Sequence, residues 1–258
     1  MQLEVREYLS THPTELETSS FWVFVVWVLH SGPRKNMIQA VIFDFDGLIL
    51  DTEVPEFQTW QEIYQAHGCE LALEVWATGL GTSADAFDPY THLEVQAGCL
   101  IDREAIQQLR HQRYNELLGT KMVLPGVREY ISEAKRLGLR LGVASSSSRA
   151  WVVGHLTELG LSTDFDCIKC RDDVQRVKPD PALYQAVVET LALQPSQAIA
   201  LEDSPNGIAA AKRAGLFCVA VPNPLTCQLS LGHADLLISS LADLPLHRLL
   251  EHVQRNGR

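Results

Sequence analysis

The sequence predicts an α/β protein: a doubly wound parallel sheet with an α-helical insert after its first strand. Three observations carry this. From residue 124 onward, short apolar runs alternate with helix-like segments, the pattern of βαβ units on a parallel sheet. Upstream, residues 40–43 form an isolated apolar run, as a strand buried on both faces does. Between the two, residues 52–121 show helical spacing and no convincing strand. The 258 residues are 46% hydrophobic, enough for a sizeable core and a small insert. The net charge of −11 disfavours nucleic acid or an anionic membrane surface as partner. It says little about a small anionic ligand, which needs only a local positive pocket.

Taken in order, residues 1–20 are polar and acidic, and residues 21–29 form an apolar run. A membrane span needs about 18 or more apolar residues, so the run is too short. A signal peptide begins with basic residues, and this stretch is acidic. Residues 1–36 are therefore expected to be a dispensable extension, with an added strand or an amphipathic contact as the rival reading. The sheet domain is expected over 37–51 and 122–258, and the insert over 52–121.

Within the insert, residues 54–67 read as a helix with Pro55 in its first turn and Gly68 as its stop. Residues 74–80 and 83–97 read as helices broken by Gly79, Gly81 and Gly98, and Asp102 as the N-cap of a helix to 118. In the sheet domain, helices are expected over 126–137, 151–159, 181–191, 205–214 and 244–253. Strands are expected over 139–144, 165–170, 198–201, 217–221 and 236–239.

The six cysteines lack the spacing of a disulfide framework and read as reduced thiols in a cytoplasmic protein. Cys167 and Cys170 form a C-x-x-C, but no second pair completes a zinc site, and the pair falls in an expected strand rather than at a helix start.

Four stretches carry chemistry. The first strand runs into Asp44-Phe45-Asp46-Gly47. Residues two apart on a strand share a face, so both carboxylates can meet at its tip, and Gly47 permits a sharp turn. Close carboxylates repel unless a cation or proton sits between them, which suits a metal-assisted nucleophile beside an acid/base. The strand at 139–144 ends in Ser145-Ser146-Ser147-Ser148-Arg149, and hydroxyls and N–H groups before a helix form an anion site. Lys178 precedes Pro179-Asp180-Pro181, which fixes the local backbone. Glu202 and Asp203 follow the run at 198–201 and offer hard oxygens to Mg2+.

These four stretches, in this order and each at or near the end of an expected strand, resemble the motifs of the haloacid dehalogenase superfamily. Within it the chain is most similar to the phosphoglycolate phosphatase and β-phosphoglucomutase-like group. The resemblance covers residues 37–258. It implies a Rossmann-like core with a helical cap, and Mg2+-dependent hydrolysis of a small phosphorylated metabolite. It makes Asp44 the nucleophile and Asp46 the acid/base. Lys178, Ser145 and Ser146 would hold the phosphate. Asp44, the Asp46 backbone carbonyl, Glu202 and Asp203 would hold the metal. A sugar phosphomutase and a non-catalytic phosphometabolite-binding protein are the alternatives. The mutases it resembles carry a His where this chain has Glu56, and an Arg where Gly81-Thr82-Ser83-Ala84-Asp85 offers no cation. That favours hydrolysis, unless Arg110 or His111 supplies the charge.

Overall fold

A computed structural model describes residues 37–82, 86–119 and 123–256. The expected extension, with its apolar run at 21–29, and residues 83–85 and 120–122 lie outside the described residues.

Six parallel strands form one sheet: β1 (Ala40–Phe43), β2 (Arg140–Ala144), β3 (Cys167–Lys169), β4 (Ala198–Glu202), β5 (Phe217–Ala220) and β6 (Leu236–Leu237), in the order β3-β2-β1-β4-β5-β6. β1 is central, with Phe43 opposite Val143 on one side and Leu201 on the other. Its four residues are buried on both faces, which is why the run carries no polar alternation. The expected strand at 165–170 contracts to three residues, and that at 236–239 to two.

Side chains alternate across the sheet and divide the core in two. Val41, Phe43, Ile199, Leu201 and Val219 face α5 (Val127–Arg136), α6 (Arg149–Glu158) and α9 (Leu246–Asn256). On α5 the buried Val127, Tyr130, Ile131 and Ala134 recur at helical spacing. Each large side chain fully removed from water contributes about 1.5–3 kcal/mol. Ala40, Ile42, Ala198, Ala200, Cys218 and Ala220 face α7 (Ala182–Thr190) and α8 (Pro205–Arg213). Small residues let these helices sit close: a Cβ on Gly142 would lie 2.6 Å from Val187 Cγ1.

The insert holds α1 (Glu53–Ala66), α2 (Leu73–Trp76), α3 (Pro89–Ala97) and α4 (Arg103–Leu118). Phe57, Trp60, Ile63, Tyr64, Trp76, Leu93 and Ile106 form an apolar cluster there, which also takes in Leu225 from beyond β5. The helix expected from residue 83 starts at Pro89 instead. Asp88 accepts from Tyr90 N–H at 3.0 Å as N-cap, and Pro89 fits the first turn because it has no N–H to satisfy. The helix expected over 74–80 is a single turn.

All six cysteines are free. Cys167 and Cys170 are buried, and burial pushes both thiols up, Cys170 to about 11, as inert structural thiols require. Among the described residues no helix is long and apolar enough to cross a membrane.

Candidate active site

The chain leaves β1 for β2 and β3 on one side, then returns to β4 on the other. The crevice beyond the carboxyl ends of β1 and β4 is therefore the switch point where such sheets bind ligands. Asp44 follows β1 there, its N–H donating to Leu201 O at 3.0 Å, and Glu202, the last residue of β4, and Asp203 stand beside it. All three carboxylates are buried and can each place an oxygen within 4.8 Å of the others.

Two glycines make room for them. A Cβ on Gly47, whose φ is +76°, would come 2.2 Å from Asp203 Oδ2. A Cβ on Gly207 would lie 1.9 Å from Glu202 Oε2.

Lys178 reaches this cluster with a fully buried side chain, 2.7 Å from Asp44 Oδ1 and 2.6 Å from Glu202 Oε1. Tyr184 donates its hydroxyl to Glu202 Oε1, and its ring lies 5.2 Å from the Lys178 ammonium. Asn223 Nδ2 donates to Asp203 Oδ2 at 2.8 Å.

One ammonium does not balance three carboxylates. Burial, and next the Glu202 charge, push Asp44 up to about 8 despite Lys178. Burial and Asp44 raise Asp203 well above the carboxylate range. Burial opposes the Lys178 charge, yet Asp44 and Glu202 together hold that ammonium above its ordinary value. The surplus negative charge and the hard-oxygen donor set fit a divalent cation such as Mg2+, which takes few carboxylates and keeps several waters.

Asp46 is near but its carboxylate lies outside that cluster. Its Oδ1 accepts from Thr52 Oγ1 at 3.0 Å and Trp151 Nε1 at 2.9 Å; its Oδ2 accepts from Ser147 Oγ at 2.6 Å and Ser145 Oγ at 3.3 Å. Ser146, expected at the phosphate, donates its hydroxyl to Gly81 O of the insert at 2.9 Å. Asn206 Nδ2 donates to Leu80 O at 2.8 Å, so the loop after α2 docks on the sheet domain beside the site.

The sequence reading thus named Asp44, Lys178, Glu202 and Asp203, which the fold brings together, and Asp46 and Ser145, which it places alongside. It missed Thr52, Ser147, Trp151, Tyr184 and Asn223. Asn223 follows β5 closely, so the rule that strand ends face the crevice would have found it. Trp151 and Tyr184 lie inside helices and carry no such signal.

Residues 41–221 match the haloacid dehalogenase-like hydrolase family, and the chain belongs to it. It is 46% identical over 217 residues to "Putative phosphatase YhcW" of Bacillus subtilis (strain 168), covering 84% of this chain and 98% of that one. It is 30% identical over 208 residues to validoxylamine A 7'-phosphate phosphatase of Streptomyces hygroscopicus subsp. limoneus, with 81% and 96% covered. Among solved structures, CbbY of Rhodobacter sphaeroides in complex with phosphate superposes with a TM-score of 0.64 at 31% identity, covering 83% of this chain and 99% of that one.

Proposed function

We propose that this protein is a Mg2+-dependent phosphatase that hydrolyses a small phosphorylated metabolite through an aspartyl-phosphate intermediate. The observation that carries the reading is the pair of carboxylates at the tip of β1, one clustered with Lys178, Glu202 and Asp203, the other held apart by four donors. Asp44 attacks phosphorus in line, and the ester oxygen leaves. Asp46 protonates that oxygen, then takes a proton from the water that attacks the aspartyl phosphate. Lys178 neutralises charge on Asp44 and on the phosphoryl oxygens, with Ser145 and Ser146 as further donors. Asp44, the Asp46 carbonyl, Glu202 and Asp203 would hold Mg2+, which would supply charge screening for the attack on the phosphate. The insert acts as a cap that excludes water.

Hydrolysis is favoured over a mutase reaction by Glu56, which occupies the position of the mutases' histidine. Its carboxylate is 2.5 Å from Arg110 Nη1, so the nearest cap cation is already paired. A non-catalytic binder would have no chemical need for both Asp44 and Asp46. Phosphate release from p-nitrophenyl phosphate is expected with Mg2+ and to be lost in excess chelator. With β-glucose 1-phosphate and a trace of the bisphosphate, free phosphate is expected to form faster than glucose 6-phosphate. Activity unchanged in chelator contradicts the metal assignment, and faster isomerisation contradicts hydrolysis.

Trp151→Phe keeps the ring against Tyr114 and His155 but removes the N–H that holds Asp46. An alkyl phosphate, whose leaving oxygen needs a proton, is expected to turn over roughly tenfold more slowly. An aryl phosphate with an acidic leaving group is expected to lose far less. Equal losses on both would show that the indole acts on folding rather than on Asp46.

A further inference from the structure

Each of the three buried carboxylates at the strand tips commits one oxygen to donors of the protein. Asp44 Oδ1 accepts from Phe45 N–H at 2.7 Å and lies 2.7 Å from Lys178 Nζ. Glu202 Oε1 accepts from Lys178 Nζ at 2.6 Å and from the Tyr184 hydroxyl. Asp203 Oδ2 accepts from Asn223 Nδ2 at 2.8 Å. Among the described residues nothing donates to Asp44 Oδ2 or Asp203 Oδ1, and Glu202 Oε2 receives only Ser204 Oγ, at 3.4 Å.

Asp203 is held differently from the other two. Among the described residues its carboxylate has one donor, and that donor is an uncharged amide rather than the Lys178 ammonium. The amide is itself fixed. Its Oδ1 accepts from the Leu225 and Thr226 N–H groups, both at 2.9 Å, and the Asn223 N–H donates to Thr226 Oγ1 at 3.0 Å. With Oδ1 taken by the turn, Nδ2 must face Asp203, where it also lies 3.4 Å from Gly47 O. Gly47 leaves room for the contact: a Cβ there would lie 2.7 Å from Asn223 Nδ2. The turn is anchored in its own right, since Leu225 is buried in the apolar cluster of the insert.

We propose that Asn223 is a positioning residue that holds Asp203 to one-oxygen coordination and so tilts the site toward Mg2+ and against Ca2+. The inference rests on the Mg2+ assignment made above. Mg2+ demands a near-ideal octahedron, takes few carboxylates and keeps several waters. Ca2+ takes more oxygens in looser geometry and accepts both oxygens of one carboxylate. Three carboxylates that each turn one oxygen to the cation suit the smaller shell. Released by Asn223, Asp203 could turn both oxygens inward, which gains a ligand for Ca2+ and offers Mg2+ nothing it can use. Asp44 and Glu202 are restrained by Lys178, which the reaction also needs. Asn223 is therefore the place where selectivity can be changed apart from the phosphoryl-transfer groups.

The test is calorimetric titration of the metal-free full chain with MgCl2 and with CaCl2, in the absence of substrate. Asn223→Ser keeps an oxygen able to accept from the turn, but its side chain is one bond too short to hold Asp203. It is expected to weaken Mg2+ about tenfold and Ca2+ much less, so that the ratio of the two affinities falls at least about fivefold. Asn223→Asp has the same shape without the donor and is expected to shift the ratio in the same direction, which keeps the inference testable if the shorter side chain unsettles the turn. Tyr184→Phe removes one donor from Glu202 Oε1 but leaves Lys178 on that oxygen, so the ratio is expected to stay within about twofold. Equal weakening of both cations, a ratio unchanged in both Asn223 variants, or a fall in Tyr184→Phe as large as in Asn223→Ser would each overturn the inference. Failure of the metal assignment shows differently: the unsubstituted chain would bind neither cation and release no phosphate with Mg2+, and the inference would fall with it.

Discussion

Asp44→Asn is expected to abolish phosphate release, by about 10⁴-fold or more, while the chain stays folded. The amide has nearly the shape of the carboxylate, so the β1 strand and its bond to Leu201 O remain. What disappears is the nucleophile, and no other described group can form the same intermediate at that place. Near-normal turnover by a folded Asp44→Asn protein would refute the assignment.

The same substitution carries a stability expectation whose sign follows from the Asp44 carboxyl. Its folded value is pushed up to about 8 from an ordinary 3.8, because burial and Glu202 disfavour the charged form. Between about pH 4 and pH 8 the folded state then binds more protons at this group than the unfolded state does. Stability contributed by Asp44 therefore falls as pH rises through that window. In metal-free buffer the thermal midpoint of the unsubstituted protein is expected to fall relative to Asp44→Asn as pH rises from about 4 to about 8. Mg2+ at the upper end is expected to reverse the difference, because bound cation stabilises the folded state by mass action. A pH-independent difference between the two would show that Asp44 does not sit among the buried charges described here.

The legible part of this site is the part that sits on strand tips. A buried parallel strand is a short apolar run, and a polar residue straight after it must lie at the crevice. That is why Asp44, Ser145, Glu202 and Asp203 could be read from residue order. Lys178 needed the resemblance, since a single lysine carries no positional signal. Trp151 and Tyr184 were not legible, because each is an aromatic on a helix, indistinguishable in one sequence from core. Trp151 reaches Asp46 only once α6 packs across the end of β1. Tyr184 reaches Glu202 only because α7 lies close against the small residues of β1 and β4.

In the cap, Asp88-Pro89 is a readable helix start, but the polar run ahead of it has a composition that reads equally well as helix. Glu56 also does more than stand where the mutases carry a histidine. Its pairing with Arg110 joins α1 to α4 across a tertiary contact that sequence spacing does not show.

Lys178→Met is expected to be the most destabilising substitution at the site, by about 3–5 kcal/mol in metal-free buffer. The side chain is fully buried and bonds two carboxylates, so Met would fill the volume yet leave Asp44, Glu202 and Asp203 with no cation among them. A buried pair is a weak source of net stability, but removing one partner strands the other's charge at full desolvation cost. Tyr184 still donates to Glu202, which limits the damage on one side of the cluster. Among the described residues Lys178 is the only cation within bonding distance of Asp44, so protons or Mg2+ must compensate there.

The thermal midpoint of Lys178→Met is therefore expected to rise more steeply with Mg2+ than that of the unsubstituted protein. Turnover is expected to stay at least about 10³-fold below normal even at saturating Mg2+, since the metal cannot replace an ammonium aimed at the phosphoryl oxygens. A Lys178→Met protein as stable as the original without metal would show that the three carboxylates do not share a buried charge. Restored turnover at high Mg2+ would place Lys178 in charge balance alone and remove it from the phosphoryl-transfer step.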